Sequence, residues 1–422
     1  MTGQHIMSRG SIAIAAFSTI VEWYDFTAYL YFATVLSRVF YGGGEAALVT
    51  ALGGFAIAYL MRPLGAIFFG QFGDRLGRRR MMLLSVAVMT LTMLATALRP
   101  THAQIGAAAG WLLFALRCVM GFSVGGEYNG VVAYLLEGAA RNRRGLVASL
   151  ASAASEIGAL LAAGVCLLTV HNLSQAVLDD WGWRIPFFVG TALAASVWVA
   201  RSAMQESPDF ARQLASGTVP SAPLRHVCRN HRAGIARAFA ISALGSITYY
   251  VGITYVPAFL STAGMLDESQ ALQLSTLAAI AVILVTPLTG ALADRIGRRP
   301  VLVALTLANA ALPILMFHLM AGGTYHAALA GALVLAAAAG AVSAVGAVAT
   351  AEQFPGEGRL SGLALGSTMA TAVFGGMAPW AAQRLMQMTG SPLVPGIMIA
   401  GVALCVLPVL LKAPETRPAP DR

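Results

Sequence analysis

One loop is written twice in this chain. Gly70-Gln-Phe-Gly73-Asp74-Arg75-Leu-Gly77-Arg78-Arg79-Arg80 returns as Gly290-Ala-Leu-Ala-Asp294-Arg295-Ile-Gly297-Arg298-Arg299-Pro300. Asp74 and Asp294 stand 220 residues apart (294 − 74), about half of the 422-residue chain. Two more echoes follow in the same order. Glu137 followed by Arg144-Gly145 matches Glu352 followed by Arg359-Leu-Ser-Gly362, and Glu206-Ser-Pro matches Glu415-Thr-Arg. Three echoes in register indicate a duplicated half, so the fold must be two copies of one unit.

The unit is a membrane one. Hydrophobic residues make up 58% of the chain and charged residues 11%, whereas a soluble domain carries roughly a quarter charged residues. About 20 apolar residues span a bilayer, and the chain divides into about twelve such stretches, centred near Thr19, Tyr59, Met89, Cys118, Ile157, Leu193, Gly245, Ala279, Leu307, Ala338, Thr371 and Val402. This predicts an all-α integral membrane protein of two pseudo-symmetric six-helix bundles. Residues 1–200 form the first bundle, 201–236 a link with a short amphipathic helix, 237–412 the second bundle and 413–422 a tail. The 44 glycines suit close helix contact in lipid.

The formal charge of +9 collects in alternate connections. Arg75 to Arg80, Arg141 to Arg144, the Arg201 to Arg237 segment, Arg295 to Arg299, Arg359 and the Lys412, Arg417, Arg422 tail lie on one side. The opposite connections hold little beyond Arg38, Arg99, Arg184 and Arg384. This positive-inside bias predicts a multi-pass protein of the bacterial cytoplasmic (inner) membrane with both termini in the cytoplasm, and it removes the reason to invoke nucleic acid. The apolar run after Arg9 reads as a full span rather than a cleaved signal, and Trp181 and Trp183, just before span six, as headgroup anchors. The four scattered cysteines have no metal-ligand spacing, and neither metal nor cofactor is expected. Gly42-Gly-Gly44 lacks the following Lys-Ser/Thr of a phosphate loop, so an enzyme is not expected.

The duplicated loop resembles the signature loop of the major facilitator superfamily. Gly70 and Gly73 let a neighbouring helix come close, and Asp74 accepts N–H groups at another helix start and pairs with arginine. The expected latch comprises Gly70, Asp74, Arg75, Gly77, Arg78, Glu137 and Arg144, with Asp294, Arg295, Gly297, Arg298, Glu352 and Arg359 in the second half. Arg117 within span four begins an Arg-x-x-x-Gly pattern that resembles proton-coupled members. An arginine at mid-membrane costs on the order of 2.5–3.5 kcal/mol, so it should face water or a carboxylate. Glu22 and Asp25 share one face of span one, with Tyr29 a turn further on. Two poorly solvated acids in one turn repel, so at least one is readily protonated. Arg62 sits inside span two beside Pro63, and Glu156 near the middle of span five. Tyr249 and Tyr250 give the second half an aromatic and hydroxyl character. His318 reads as lipid- or neighbour-facing.

Span-one Glu-Trp-Tyr-Asp-Phe (22–26), span-two Arg-Pro-Leu-Gly (62–65), Gly-Phe-Ser-Val-Gly-Gly-Glu-Tyr (121–128) and Trp-Gly-Trp-Arg-Ile-Pro-Phe (181–187) together are similar to the metabolite:proton symporter family. That resemblance implies uptake of carboxylates or zwitterions with protons, and places Asp25, Arg62, Arg117 and Glu127 near coupling and substrate. Asp25, Glu22, Glu127 and Glu156 are the candidate proton carriers. Arg62, Arg117, Tyr29, Tyr249 and Tyr250 are the candidate substrate contacts. Glu156 departs from the family pattern and suits a zwitterion, a cation or a second proton. The short tail leads us to expect no regulatory helix of the osmosensing kind. Partners are then a small metabolite, protons and the lipid bilayer, with a monomer as the default. A proton-driven exporter of a drug or a carboxylate-type metallophore (siderophore) uses the same residues and stays open as the alternative.

Overall fold

The structure is a computed structural model describing residues 7–262 and 268–417. The stretch 418–422 of the expected tail, including Arg422, lies outside the described residues. In lipid every backbone group must be satisfied within its own segment, which leaves helices as the answer for apolar runs of this length. The described residues are helical with no strand among them. Among the described residues, ten helices are long and apolar enough to cross a membrane. These are α2 (Ala46–Leu76), α3 (Arg78–Leu98), α4 (Ala108–Gly138), α5 (Arg141–Asn172), α6 (Gly182–Ser202), α8 (Gln273–Ile296), α9 (Arg298–Met320), α10 (Tyr325–Ala351), α11 (Arg359–Thr389) and α12 (Val394–Lys412). The remaining two rods are α1 (Arg9–Tyr31) and α7 (Arg232–Tyr249). They are less apolar because α1 carries Glu22 and Asp25, and α7 carries Arg232 and Arg237.

Packing repeats with the sequence. In the first half α1 lies along α5 and α6, α2 against α4, and α3 against α6; in the second α7 lies along α11 and α12, α8 against α10, and α9 against α12. The halves meet along α5 with α8 and along α2 with α11, two contacts related by the same pseudo-symmetry. Glycine decides the closest crossing. A Cβ on Gly65 would lie 1.8 Å from the Phe122 carbonyl oxygen, and one on Gly125 would lie 2.1 Å from the Arg62 carbonyl oxygen. The Arg-Pro-Leu-Gly and Gly-Phe-Ser-x-Gly runs are therefore one joint between α2 and α4, which holds Arg62 at the inner surface. Gly125→Val is expected to overpack this joint by at least ~1–3 kcal/mol, read as a lost monodisperse peak in size exclusion of the detergent-solubilised protein.

The chain between α6 and α7 holds two short helices. Pro208–Ser216 begins at an N-cap, where the Ser207 hydroxyl accepts the Phe210 N–H at 3.1 Å and Pro208 pre-sets the first turn. Beyond the one amphipathic helix expected there, the link contains a second helix, Pro223–Asn230. Trp183 also departs from expectation. It is fully buried with its ring edge-on to Phe40 at 4.7 Å, while Trp181 is exposed. Trp181 is a turn residue and Trp183 lies in the single 3-10 turn Gly182–Arg184, so the two side chains leave the backbone on different sides.

Candidate functional site: a charged cavity between two latched bundles

The three sequence echoes converge at one end of the molecule. Asp74 at the end of α2 accepts the backbone N–H of Leu360 at 3.2 Å and of Ser361 at 2.8 Å, at the start of α11. Asp294 at the end of α8 accepts the N–H of Gly145 at 2.8 Å and of Leu146 at 2.9 Å, at the start of α5. Each aspartate thus crosses to the opposite bundle and caps a helix whose free N–H groups favour an anion. Arg78 pairs with Asp74 at 3.3 Å and Glu137 at 3.1 Å; Arg298 pairs with Asp294 at 3.0 Å and Glu352 at 3.1 Å. Glu206 caps the Arg78 N–H at 2.9 Å, and Glu415 caps the Arg298 N–H at 2.9 Å.

Gly77 and Gly297 hold φ values of +106° and +122°. These angles disfavour any side chain, and an added Cβ would also strike the Glu206 and Glu415 carboxylates. The two caps differ electrostatically. Burial raises the Glu206 carboxyl above the usual range. For Glu415 burial also raises it, but the N–H groups of Arg417, Arg298 and Arg299 outweigh that and hold it below.

The latch is less symmetric than its sequence. Arg359 bridges the bundles to Glu137 at 2.6 Å and to Asp209 of the link helix at 3.2 Å. Its sequence counterpart Arg144 has a buried Nε without a hydrogen-bond partner. Arg75 and Arg295, expected in the latch, are exposed and outside the network. Gly70 does sit at the crossing, where its Cβ would lie 3.1 Å from the Leu360 carbonyl oxygen.

Away from the latch, a cavity opens between the bundles, with about 170 Å³ available to the centres of water-sized molecules. A single water needs roughly 10–15 Å³ on that measure. α7 and α11 shape its second-half wall by leaving the α-helical ladder, with π-helical turns at Tyr250–Thr254, Ala364–Thr368 and Ala372–Gly376. Such turns rotate the side chains after them and are common at functional places. Tyr249, Tyr250, Ser367, Thr368 and Thr371 face the cavity there, across from Glu22, Arg62 and Glu156. Asn129 reaches the Thr368 hydroxyl at 2.6 Å, and Ser343 the Ser152 hydroxyl at 3.2 Å, so hydroxyl contacts span the bundles along the cavity wall.

A second pocket of about 30 Å³ adjoins the first and shares Glu22 and Arg62 with it. Around it lie two ion pairs. Arg117 holds Asp25 with both terminal guanidinium nitrogens, at 2.7 and 3.1 Å. Arg62 reaches Glu22 at 3.2 Å and lies over the Tyr59 ring at 4.4 Å from its centre. Asp25 and Arg117 are each 3% exposed. Charges buried to this degree are tolerated only when paired or beside water. Four of the expected residues therefore come together at one place, with Arg62 and Glu22 as its link to the larger cavity.

Two expected residues sit elsewhere. Tyr29 lines neither cavity: its hydroxyl donates to the Ala51 carbonyl at 2.9 Å and its ring lies 5.2 Å from the Arg117 guanidinium carbon. It supports Arg117 from behind. Glu127 is caged in the first bundle, bonded to Arg201 and accepting the Ser85 hydroxyl at 2.5 Å. Arg201, read from sequence as a surface topology charge, is 1% exposed and also bonds Ser18 and the Met82 carbonyl. Nothing in its Arg-Ser-Ala context signalled this, because the mate is 74 residues away. Removing one member of a buried pair strands the other. Arg201→Met is thus expected to cost about 3–5 kcal/mol, read as a lowered melting temperature, with Arg201→Met/Glu127→Gln recovering much of the loss. Tyr59 was also missed; its hydroxyl meets that of Tyr250 at 2.6 Å across the bundles. His318 is exposed on α9.

The comparisons agree with this geometry. A family model described as "Sugar (and other) transporter" matches residues 11–222, and one described as "Major Facilitator Superfamily" matches residues 265–422. The chain is 30% identical to a citrate-proton symporter of Klebsiella pneumoniae, over 94% of this chain and 90% of that one. It belongs to the major facilitator superfamily, as a transporter of the metabolite:proton symporter type. It is also similar to a proline/betaine transporter of Salmonella typhimurium, at 29% identity over 97% of this chain and 84% of that one. Among solved structures, a proton:xylose symporter bound to 6-bromo-6-deoxy-D-glucose superposes with a TM-score of 0.81 at 19% identity, covering 97% and 96% of the two chains. That likeness confirms the two-bundle fold of this transporter.

Proposed function

We propose that this transporter imports a small carboxylate-bearing or zwitterionic metabolite together with protons, binding it in the cavity between the bundles and alternating access by rocking one bundle on the other. The observation that carries this reading is Arg62. It is a half-buried arginine on the cavity wall with one nitrogen on Glu22, so the rest of its planar fork can receive a carboxylate. Asp25 and Glu22 carry the proton. Protonating either removes an ion pair with Arg117 or Arg62, which changes the relative cost of the two access states. The basic latch end faces the cytoplasm, as the positive-inside bias of its connections requires. The latch contacts then describe a state closed on the cytoplasmic side. Movement of substrate and proton together is supported by the resemblance to a citrate-proton symporter, and a small polar substrate by that to a proline/betaine transporter.

The test is a thermal-shift screen of purified protein against metabolites at two pH values. A stabilising ligand whose shift grows at lower pH is expected, with Arg62→Gln weakening it by at least ~10-fold, or ~1.4 kcal/mol. Proton release on ligand binding would turn the reading toward an exporter.

A further inference from the structure

Only three charged side chains line the larger cavity among the described residues: Glu22, Arg62 and Glu156. Glu22 and Arg62 neutralise each other at 3.2 Å. Glu156 has no ion-pair mate among the described residues, although it is 4% exposed. Its one protein hydrogen bond comes from the Tyr249 hydroxyl to Oε1 at 2.5 Å. Glu156 itself lines the cavity, and Oε2 accepts no hydrogen bond from the described residues. The rings beside it are aromatic: Trp23 stands edge-on to Tyr249 at 5.4 Å, and Tyr249 to Tyr250 at 5.5 Å. A carboxylate among aromatic rings on a cavity wall is the chemistry that holds an alkylated or primary ammonium group. A free anion there costs several kcal/mol unless a cation or proton answers it.

We infer that Glu156, with Tyr249 and Trp23, forms a subsite for a cationic nitrogen, so that this transporter selects zwitterions over dicarboxylates. This rests on the proposed function and narrows it. The ligand's carboxylate addresses Arg62 while its nitrogen addresses Glu156, and a second carboxylate in place of the nitrogen meets an acid. Tyr249 fixes the rotamer of Glu156 by its hydrogen bond and is the positioning residue.

The experiment uses purified full-length protein and its Glu156→Gln variant, with four probes: proline and glycine betaine as zwitterions, tetramethylammonium as a bare cation and succinate as a dianion. For wild-type protein we expect stabilisation by at least one zwitterion at least tenfold tighter than by succinate. In Glu156→Gln the zwitterion should bind at least tenfold more weakly, while the unliganded melting temperature stays within a few degrees and shows that the variant folds. Retained zwitterion affinity in Glu156→Gln, tighter binding of succinate by wild type, or no stabilisation by any probe overturns the inference. Proton-driven uptake separates the two levels. Liposomes that take up succinate with protons leave the proposed function standing and this inference refuted. Liposomes that bind a zwitterion but accumulate nothing under a proton gradient refute the coupled import instead.

Discussion

Asp25→Asn is expected to abolish accumulation of substrate against its gradient while counterflow exchange continues. Asn keeps the shape of Asp and can still accept a hydrogen bond from Arg117, but it carries no proton. In the present state both Asp25 oxygens are engaged by Arg117 at 2.7 and 3.1 Å, so a proton can enter only as that pair opens. A membrane potential of ~100 mV is worth about 2.3 kcal/mol per charge moved, close to fiftyfold in accumulation at ~1.4 kcal/mol per factor of ten. The variant should forfeit all of it and settle at a ratio near one. Labelled substrate in proteoliposomes with an imposed proton gradient gives the measurement. Undiminished uphill uptake by Asp25→Asn would remove Asp25 from the coupling mechanism. Glu22→Gln then becomes the next test, since its Oε2 is buried without a hydrogen-bond partner and its ion-pair mate is Arg62.

Gly145→Leu should stop transport altogether, exchange included, by wedging the latch open. A Cβ on Gly145 would lie 2.5 Å from the Gly290 carbonyl oxygen and 2.9 Å from Asp294 Oδ1. The start of α5 and the end of α8 cannot separate to admit it without losing the two N–H bonds that Gly145 and Leu146 donate to Asp294. Hydrogen bonds to a charged group are worth ~1.5–3 kcal/mol each. Losing both therefore shifts the balance between closed and open latch by two orders of magnitude or more. Ser149 packs against Gly290 and is fully buried in the closed latch. A Ser149→Cys label should react slowly in an otherwise native chain and at least tenfold faster with Gly145→Leu. Equal labelling rates, or normal counterflow in the leucine variant, would show that the latch is not part of the cycle. The two variants thus separate proton coupling from bundle motion, because only the second should lose exchange.

The latch was legible because it is local and duplicated. Asp, Gly and Arg recur at fixed offsets, and the cap geometry they build is the same in both halves. Gly77 and Gly297 stand where backbone sign and Glu contact allow no side chain, so their repetition carried direct structural meaning. Glu22, Asp25, Arg62 and Arg117 were legible for a different reason. A charge inside an apolar run has few tolerable surroundings, and its type alone predicts a mate or a watery cavity. Glu127 met the same criterion yet lies in a cage with Arg201, outside the cavity. Sequence flags a buried charge without telling a structural pair from a working one.

The chain's order of residues settled the number of units, their membrane setting, the twin Asp-Arg-x-Gly-Arg-Arg loops and which polar groups had to be hidden. Folding settled who met whom. Arg201 finds Glu127, Tyr59 finds Tyr250, Tyr29 turns to Ala51, and Glu156 is left facing the cavity with one tyrosine. Helical period fixes only the face on which a side chain leaves its own rod. Its mate depends on how rods far apart in sequence cross, and that is set by small-residue contacts such as Gly65 on Phe122, which act between segments.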